Sequence, residues 1–228
     1  LATAEEAEDD LALANAYLNL SNIYRRIRSW EQALETAQTA YILYHDLGYS
    51  NLLTKASITL IAIWAESGNW EEINQLSVEL MQVLNTSGDV HNLSQLKNNM
   101  GISAFSQGNY NMAEAAWQEA LQLNSQIQEP MELASIYNNL GMVYTQLEER
   151  ETAEEMLLKA ITAYQRFGDT FSWANSLDNL ADLYEARDQT AAFKRTLQEA
   201  IAGLQVLKDT PHAAELLDYM QKRLANAK

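Results

Sequence analysis

A polar side chain recurs at every fortieth residue of the sequence, and its chemistry is that of binding. Four of the five positions are asparagine and one is threonine: Asn19, Thr59, Asn99, Asn139 and Asn179. A carboxamide has a donor and an acceptor end, so it can pair with the N–H and C=O groups of an extended peptide of any sequence. A row of such groups predicts a surface that binds a polypeptide backbone.

Residues that commonly carry out catalysis or hold metals are scarce. The sequence has no cysteine and three histidines, His45, His91 and His212, which lie far apart along the chain. It has no phosphate-binding loop, no G-x-S-x-G elbow and no H-E-x-x-H motif. Acidic pairs such as Glu154 and Glu155 are expected to face solvent. We therefore expect no enzymatic activity, no metal site and no cofactor.

The overall composition is typical of a globular protein with a core. Hydrophobic residues make up 47% of the 228 residues, and aromatic residues 9%. The formal net charge of −16 argues against nucleic acid as a partner, because phosphate binding draws on Lys and Arg. No stretch approaches the run of about 18 apolar residues that a membrane span needs, so we expect a cytoplasmic protein with no membrane partner. The sequence begins at Leu1 without an initiator methionine, and we expect it to be part of a longer chain.

The forty-residue spacing extends from single positions to whole segments. Residues 19–24, 139–144 and 179–184 share the order Asn, Leu, small, any residue, aliphatic, Tyr. Seven of the eight glycines fall into three phases of the same period, and Gly48, Gly88 and Gly168 are placed to end a helix. The period defines five units without an insertion in a single domain that spans residues 1–228: 10–49, 50–89, 90–129, 130–169 and 170–209.

Within each unit, apolar residues recur at three- and four-residue spacing, which predicts two amphipathic helices of about 15 to 17 residues. In the first helix of the first unit, the buried stripe is expected to comprise Leu13, Ala16, Tyr17, Leu20, Ile23 and Tyr24. Residues 1–9 are expected to be the tail of a preceding second helix. The predicted helices make the fold all-α and span residues 10–26, 30–46, 50–66, 70–86, 90–106, 110–126, 130–146, 150–166, 170–186, 190–206 and 211–226.

Several residues of these units resemble the tetratricopeptide repeat. The matched features are the large and small pair Leu140 and Gly141, the aromatic Tyr144, and the small residues Ala153 and Ala160 of the second helix. The period exceeds the usual length of about 34 residues. The longer unit is similar to those of kinesin light chains, of animal spindle scaffolds and of the sensor arrays of bacterial STAND-type ATPases. The resemblance implies a right-handed superhelix of helical hairpins with five repeats and a capping helix at 211–226.

In such a solenoid the first helices line the concave side, so their exposed stripe predicts the binding site. Ile58, Ile102 and Met142 are expected to form an apolar centre between a basic end and an acidic end. By resemblance, the asparagine column holds a peptide backbone; alternatively, these asparagines only pair with a neighbouring helix or with solvent. The candidate contact residues are Asn19, Asn22, Arg25, Lys55, Ile58, Asn98, Asn99, Ile102, Asn138, Asn139, Met142, Asn179 and Asp182.

The sequence therefore predicts a protein- or peptide-binding module that recognises an extended segment in the concave groove. The resemblance further implies the sensor segment of a larger bacterial signalling protein of the STAND type. One alternative is a scaffold that self-associates, or packs within its own chain, through convex or end surfaces. Another alternative is a receptor for a short signalling peptide.

Overall fold

Helices joined by short turns make up the fold. The computed structural model describes residues 4–227, and the side chains of residues 8–227 apart from those of residues 70, 71 and 74. A short 3₁₀ helix, Gln205–Leu207, follows the tenth helix. The described residues form eleven α-helices and no strand: α1 Ala4–Arg26, α2 Trp30–Asp46, α3 Ser50–Ser67, α4 Trp70–Ser87, α5 Val90–Ser106, α6 Tyr110–Ile127, α7 Pro130–Gln146, α8 Arg150–Phe167, α9 Thr170–Ala186, α10 Thr190–Leu204 and α11 Pro211–Asn226.

The helices belong to two compact units, Leu1–Gly108 (unit 1) and Asn109–Lys228 (unit 2). Within each unit, every helix packs against the next one along the chain. First helices of successive repeats also contact each other, as α3 and α5 do in unit 1, and α7 and α9 in unit 2. The boundary lies between α5 and α6, inside the third of the five predicted repeats.

The predicted helices are confirmed to within a few residues, except at the start of the chain. Residues 4–9 continue α1 and are not the tail of a separate helix. The reason is local, because the segment from Ala4 to Asp10 holds only Ala, Glu and Asp and has no glycine or proline that would break the helix. The part of this prediction that concerns residues 1–3 lies outside the described residues.

The turns between helices share one backbone conformation that repeats every twenty residues. Positions 48, 68, 88, 108 and 168 are glycines with φ between 69° and 85°. Non-glycine residues take the same left-handed conformation at the other turns, namely Arg28, Gln128, Glu148 and Asp188. A left-handed residue ends a helix by satisfying its last carbonyl groups, so the turn is kept even where glycine is absent.

Small residues allow close contact between the two helices of a repeat, as predicted. Ala33, Ala113 and Ala153 are fully buried. At Gly141 of α7, a Cβ atom would lie 2.5 Å from Cγ of Leu157 in α8, so only glycine fits the present packing. The paired columns of large and small residues thus set the distance between α7 and α8.

The predicted buried stripe of α1 is only partly buried. Leu13, Leu20 and Ile23 are 45%, 39% and 54% exposed, and Ala16 is also exposed. At the equivalent positions of α3, Leu60 and Ile63 are buried against α2. The periodicity correctly identified an apolar side of α1, but the described part of the chain does not bury it.

Candidate binding face of the first helices

The asparagine column can be followed in unit 2, where α7 and α9 contact each other directly. We call the surface formed by Asn138, Asn139 and Met142 of α7 and by Asn179 and Asp182 of α9 the first-helix face. Residues three or four apart share one side of a helix, and the two helices are neighbours. The structure therefore brings five of the predicted contact residues together.

Asn138 is the centre of a hydrogen-bond network on this face. Its Oδ1 atom accepts bonds from Ser176 Oγ and from Asn179 Nδ2, each at 2.9 Å. Its Nδ2 atom donates to the sulfur of Met142 at 3.6 Å. Asn138 is 8% exposed, so these bonds satisfy a buried carboxamide and connect α7 to α9. It positions its neighbours and presents little surface to a ligand, contrary to its predicted role.

Asn139, Met142 and Asn179 remain partly exposed beside this network. The bond from Asn179 to Asn138 uses the amide end of Asn179, and its Oδ1 atom can still accept a bond. The network also restrains the Asn179 side chain before any ligand arrives. Such preorganisation lowers the entropy cost of binding.

Two predicted contact residues of unit 1 are buried. Ile58 is 6% exposed and belongs to a core cluster with Ile61 and Leu96, while Asn99 is 7% exposed. Because α3 packs on α5 as well as on α4, the side of α3 that the periodicity assigned to the groove is covered. The predicted groove role of Ile58 is therefore wrong, and Asn99 offers little surface for binding.

The remaining predicted residues of unit 1 are engaged to different degrees. Asn22 Nδ2 donates to the carbonyl oxygen of Leu18 at 3.0 Å, within α1. Arg25 forms an ion pair with Glu66 of α3 at 3.4 Å, which partly neutralises the basic end. The others are exposed (Asn19 and Lys55) or half-buried (Asn98 and Ile102).

The acidic end of the predicted groove is occupied by Arg223 of α11. Its guanidinium nitrogens lie 2.7 Å from Asp178 Oδ1, 2.5 Å from Asp182 Oδ1 and 2.8 Å from Glu185 Oε2. The same group lies 5.2 Å from the centre of the Phe193 ring. Asp182 is thus already paired within the chain, and the acidic end carries less charge than the sequence of α9 implies.

Burial raises the pKa of Asp178 to about 6, from an ordinary value of 3.8. Loss of hydration is the largest cause. The negative charges of Asp182 and Glu185 act in the same direction, whereas Arg223 opposes both effects. Asp178 is therefore a carboxylate that the folded chain keeps ionised at neutral pH only at a cost in stability.

Asp178→Asn is expected to reduce the loss of stability that accompanies a rise in pH. Between about pH 4 and pH 6 the folded state binds more protons at this site than the unfolded state, so stability falls as pH rises. The difference amounts to at most about 3 kcal/mol. Urea unfolding at several pH values should give a flatter profile for the variant than for the wild type. Parallel profiles would contradict the raised pKa.

Sequence reasoning did not single out Arg223 or Ser176 as parts of this face. A signal for Arg223 was present, because Asp178, Asp182 and Glu185 follow one another at spacings of four and three residues on α9. Three carboxylates on one side of a helix repel each other unless a cation joins them. Ser176 carries no such signal, since a serine on the buried side of a helix usually bonds to its own backbone.

One acidic pair was expected to face solvent, and half of that prediction is wrong. Glu154 of α8 accepts hydrogen bonds from Tyr184 Oη at 2.9 Å and from Arg187 Nη1 at 2.5 Å. These bonds lower the pKa of Glu154 despite its partial burial. They connect α8 to the end of α9, while Glu155 is exposed as predicted.

Neither a metal site nor a membrane span is found in the described part of the chain. Among those residues, no group of three or more His, Asp or Glu side chains could hold a metal ion. No described helix is both long and apolar enough to cross a bilayer.

Comparison with known families matches the sequence profile of the tetratricopeptide repeat to residues 92–166 and again to residues 132–205. Together the two matches cover half of the chain. The chain belongs to the tetratricopeptide repeat family. The repeats predicted from the forty-residue period and the all-helical fold are those of a tetratricopeptide array. No match was found among curated protein sequences.

Several solved structures share this tetratricopeptide fold. BtubC from P. vanneervenii has a TM-score of 0.70 at 21% identity, over 88% of this chain and 80% of that one. A Rap protein complexed with Competence and Sporulation Factor has a TM-score of 0.65 at 16% identity, over 99% and 67%. Kinesin light chain repeats from Podosopora anserina have a TM-score of 0.62 at 15% identity, over 88% and 98%. At these identities the similarity concerns the fold alone.

Proposed function

We propose that this tetratricopeptide array is a protein- or peptide-binding module and that an extended peptide lies across the first-helix face of unit 2. The observation that carries the proposal is the pair of carboxamides at Asn139 and Asn179. They occupy equivalent positions of successive repeats, both are partly exposed, and Asn179 is restrained by Asn138. The similar Rap structure, which holds Competence and Sporulation Factor, supports a binding role for the fold.

The chemistry of the face indicates what such a peptide offers. Asn139 and Asn179 pair with backbone N–H and C=O groups, which places few demands on the peptide sequence. Met142 lies between them and favours an apolar side chain, because its thioether adapts to different shapes. Asp182 and Glu185 are partly exposed on the side away from Arg223 and favour a basic residue next to it.

The double variant Asn139→Ala with Asn179→Ala is expected to weaken peptide binding at least tenfold, because both backbone contacts are lost. The probe is a peptide selected on the wild-type protein from a random library and labelled for fluorescence polarisation. Asn85→Ala with Asn111→Ala is a matched control, since both asparagines are exposed on second helices. The proposal fails if the two double variants bind the probe equally well while circular dichroism shows both to be folded.

We place this binding module in the cytoplasm, as the sensor segment of a larger bacterial signalling protein of the STAND type. The support is the length of the repeat and its resemblance to such sensor arrays. The coding sequence on either side of these 228 residues tests the idea directly. A nucleotide-binding ATPase domain in the same reading frame is expected, and a complete reading frame without one contradicts the assignment.

A further inference from the structure

The apolar side of α1 has the spacing of a helix-pairing seam. Its residues follow one another at alternating spacings of three and four: Leu13, Ala16, Leu20, Ile23 and Ile27. This is the a/d pattern of a coiled coil. The four large residues are between 39% and 55% exposed. At about 100° per residue, the seam lies roughly a third of a turn away from Asn19 and Asn22, so it is a separate surface from the predicted groove side of α1.

Equivalent positions elsewhere in the array are covered by a helix. In α3, Leu60 and Ile63 form a cluster with Ala33 and Ala37 of α2. In α7 and α9 the corresponding residues are buried as well, namely Ile136, Leu140, Val143, Ser176, Leu180 and Leu183. The seam of α1 is therefore the one first-helix surface of this type, among the described repeats, that has the apolar pattern and stays largely exposed. A contiguous apolar row of this kind marks an interaction surface.

The charges of α1 select the occupant. Its start is acidic, with Glu8, Asp9 and Asp10, and its end is basic, with Arg26 followed by Arg28 in the turn. An antiparallel copy of the same helix reverses this order. The acidic start of one helix then lies beside the basic end of the other, at both ends of the seam.

We propose that α1 pairs antiparallel with α1 of a second copy of this chain, across a two-fold axis near the middle of the seam. In the register that sets Leu13 opposite Ile23 of the partner subunit, Ala16 lies opposite Leu20 of the partner subunit. The same register brings Asp10 next to Arg26 of the partner subunit and Glu8 next to Arg28 of the partner subunit. A two-fold interface uses the same patch on both copies, as the charge pattern of α1 requires.

The pairing is a modest interface. A helix of 23 residues is about 35 Å long, and one helix pair buries an area at the lower end of the range for specific complexes. We therefore expect a dimer that forms in the micromolar range and dissociates on dilution. High salt should weaken it, because the end charges are exposed and screened.

Sedimentation velocity over a wide concentration range tests the association. The wild type is expected to shift from monomer to dimer, and Ile23→Glu to remain monomeric at concentrations at least tenfold higher. Val83→Glu is the matched control, since Ile23 and Val83 are both 54% exposed in unit 1 and only Ile23 lies on the seam. A wild-type monomer at all concentrations, or a dimer that Ile23→Glu leaves intact, overturns the proposal.

Cross-linking tests the orientation, and the absence of native cysteines makes each introduced thiol unique. An equimolar mixture of Leu13→Cys and Ile23→Cys proteins, treated with a short thiol-specific cross-linker, is expected to give several-fold more covalent dimer than either protein alone. Efficient cross-linking of each protein with itself would indicate a parallel pair and overturn the antiparallel register.

The test also separates self-pairing from a helix supplied by another source. The surface that covers α3 belongs to α2, so a peptide with the sequence of α2, Trp30–Asp46, is a suitable competitor. If the protein is monomeric yet binds this peptide, and Ile23→Glu abolishes that binding, the seam accepts a second-type helix and the self-pairing proposal is wrong.

Discussion

Replacing Arg223 with alanine is expected to lower the free energy of unfolding of unit 2 by about 3–5 kcal/mol near neutral pH. The guanidinium joins Asp178, Asp182 and Glu185, and Asp178 is almost completely buried. Without Arg223, three carboxylates on one side of α9 lose their cation, and one of them cannot regain its hydration. Removing one member of a buried ion pair costs far more than the net gain from forming it.

Urea unfolding followed by tryptophan fluorescence measures this loss, since Trp117 and Trp173 both lie in unit 2. Lys222→Ala is the control, because Lys222 pairs with Asp218 at an exposed site one residue away, and such pairs contribute less than about 0.5 kcal/mol. The cost of Arg223→Ala should shrink as the pH falls through the pKa of Asp178, which then becomes neutral. Equal costs for the two variants would show that the cluster contributes little to stability.

The cluster also connects the end of the array to the proposed binding face. Arg223 belongs to α11, and the carboxylates that it joins lie on α9, the helix that carries Asn179. The capping helix therefore stabilises the helix that presents Asn179 and also lowers the negative charge beside it. A basic residue of a bound peptide would have to share Asp182 and Glu185 with Arg223.

The positions of the helices could be predicted from the sequence because one period determines them. A forty-residue repeat without insertions fixes every turn once a few turns are recognised. The glycines marked five of the turns, and the period extends the same left-handed conformation to Arg28, Gln128, Glu148 and Asp188, which no residue preference would indicate.

The exposure of individual side chains could not be predicted as well, because it depends on which neighbours cover each helix. The helical periodicity placed Ile58 on a groove and Leu20 in a core, and the structure reverses both. Ile58 is covered because α3 packs on α5 as well as on α4. Leu20 is exposed because the described part of the chain provides α1 with no counterpart of the α2 helix that covers Leu60.

The proposed face shows the same division between what is local and what is not. Asn139 and Asn179 were identified from their spacing, and both remain partly exposed. The bond between Asn179 and Asn138 joins residues 41 positions apart, one position off the period, so no comparison of equivalent residues would find it. The alternative that an asparagine pairs with a neighbouring helix is confirmed for Asn138, and Asn179 combines that pairing with partial exposure.

Leu140→Ala is expected to destabilise unit 2 by about 2–5 kcal/mol, which is the cost of a cavity at a closely packed site. Leu140 is 1% exposed in α7, a helix that packs against α6, α8 and α9. Its neighbour Gly141 already holds α7 close to Leu157, so the surrounding helices have little room to move inward and fill the space. Because each repeat is stabilised by its neighbours, the loss should spread to α9 and to the first-helix face.

Urea unfolding of the variant, together with hydrogen exchange of the α7 and α9 amides, measures both effects. Leu158→Ala removes the same side chain from a position in α8 that is 46% exposed, and it should cost less than about 1 kcal/mol. If Leu140→Ala lowers protection in α7 but leaves α9 unchanged, the two first helices are energetically independent. The Asn138 network would then join two helices that do not stabilise each other, and Asn179 would not depend on α7 for its position.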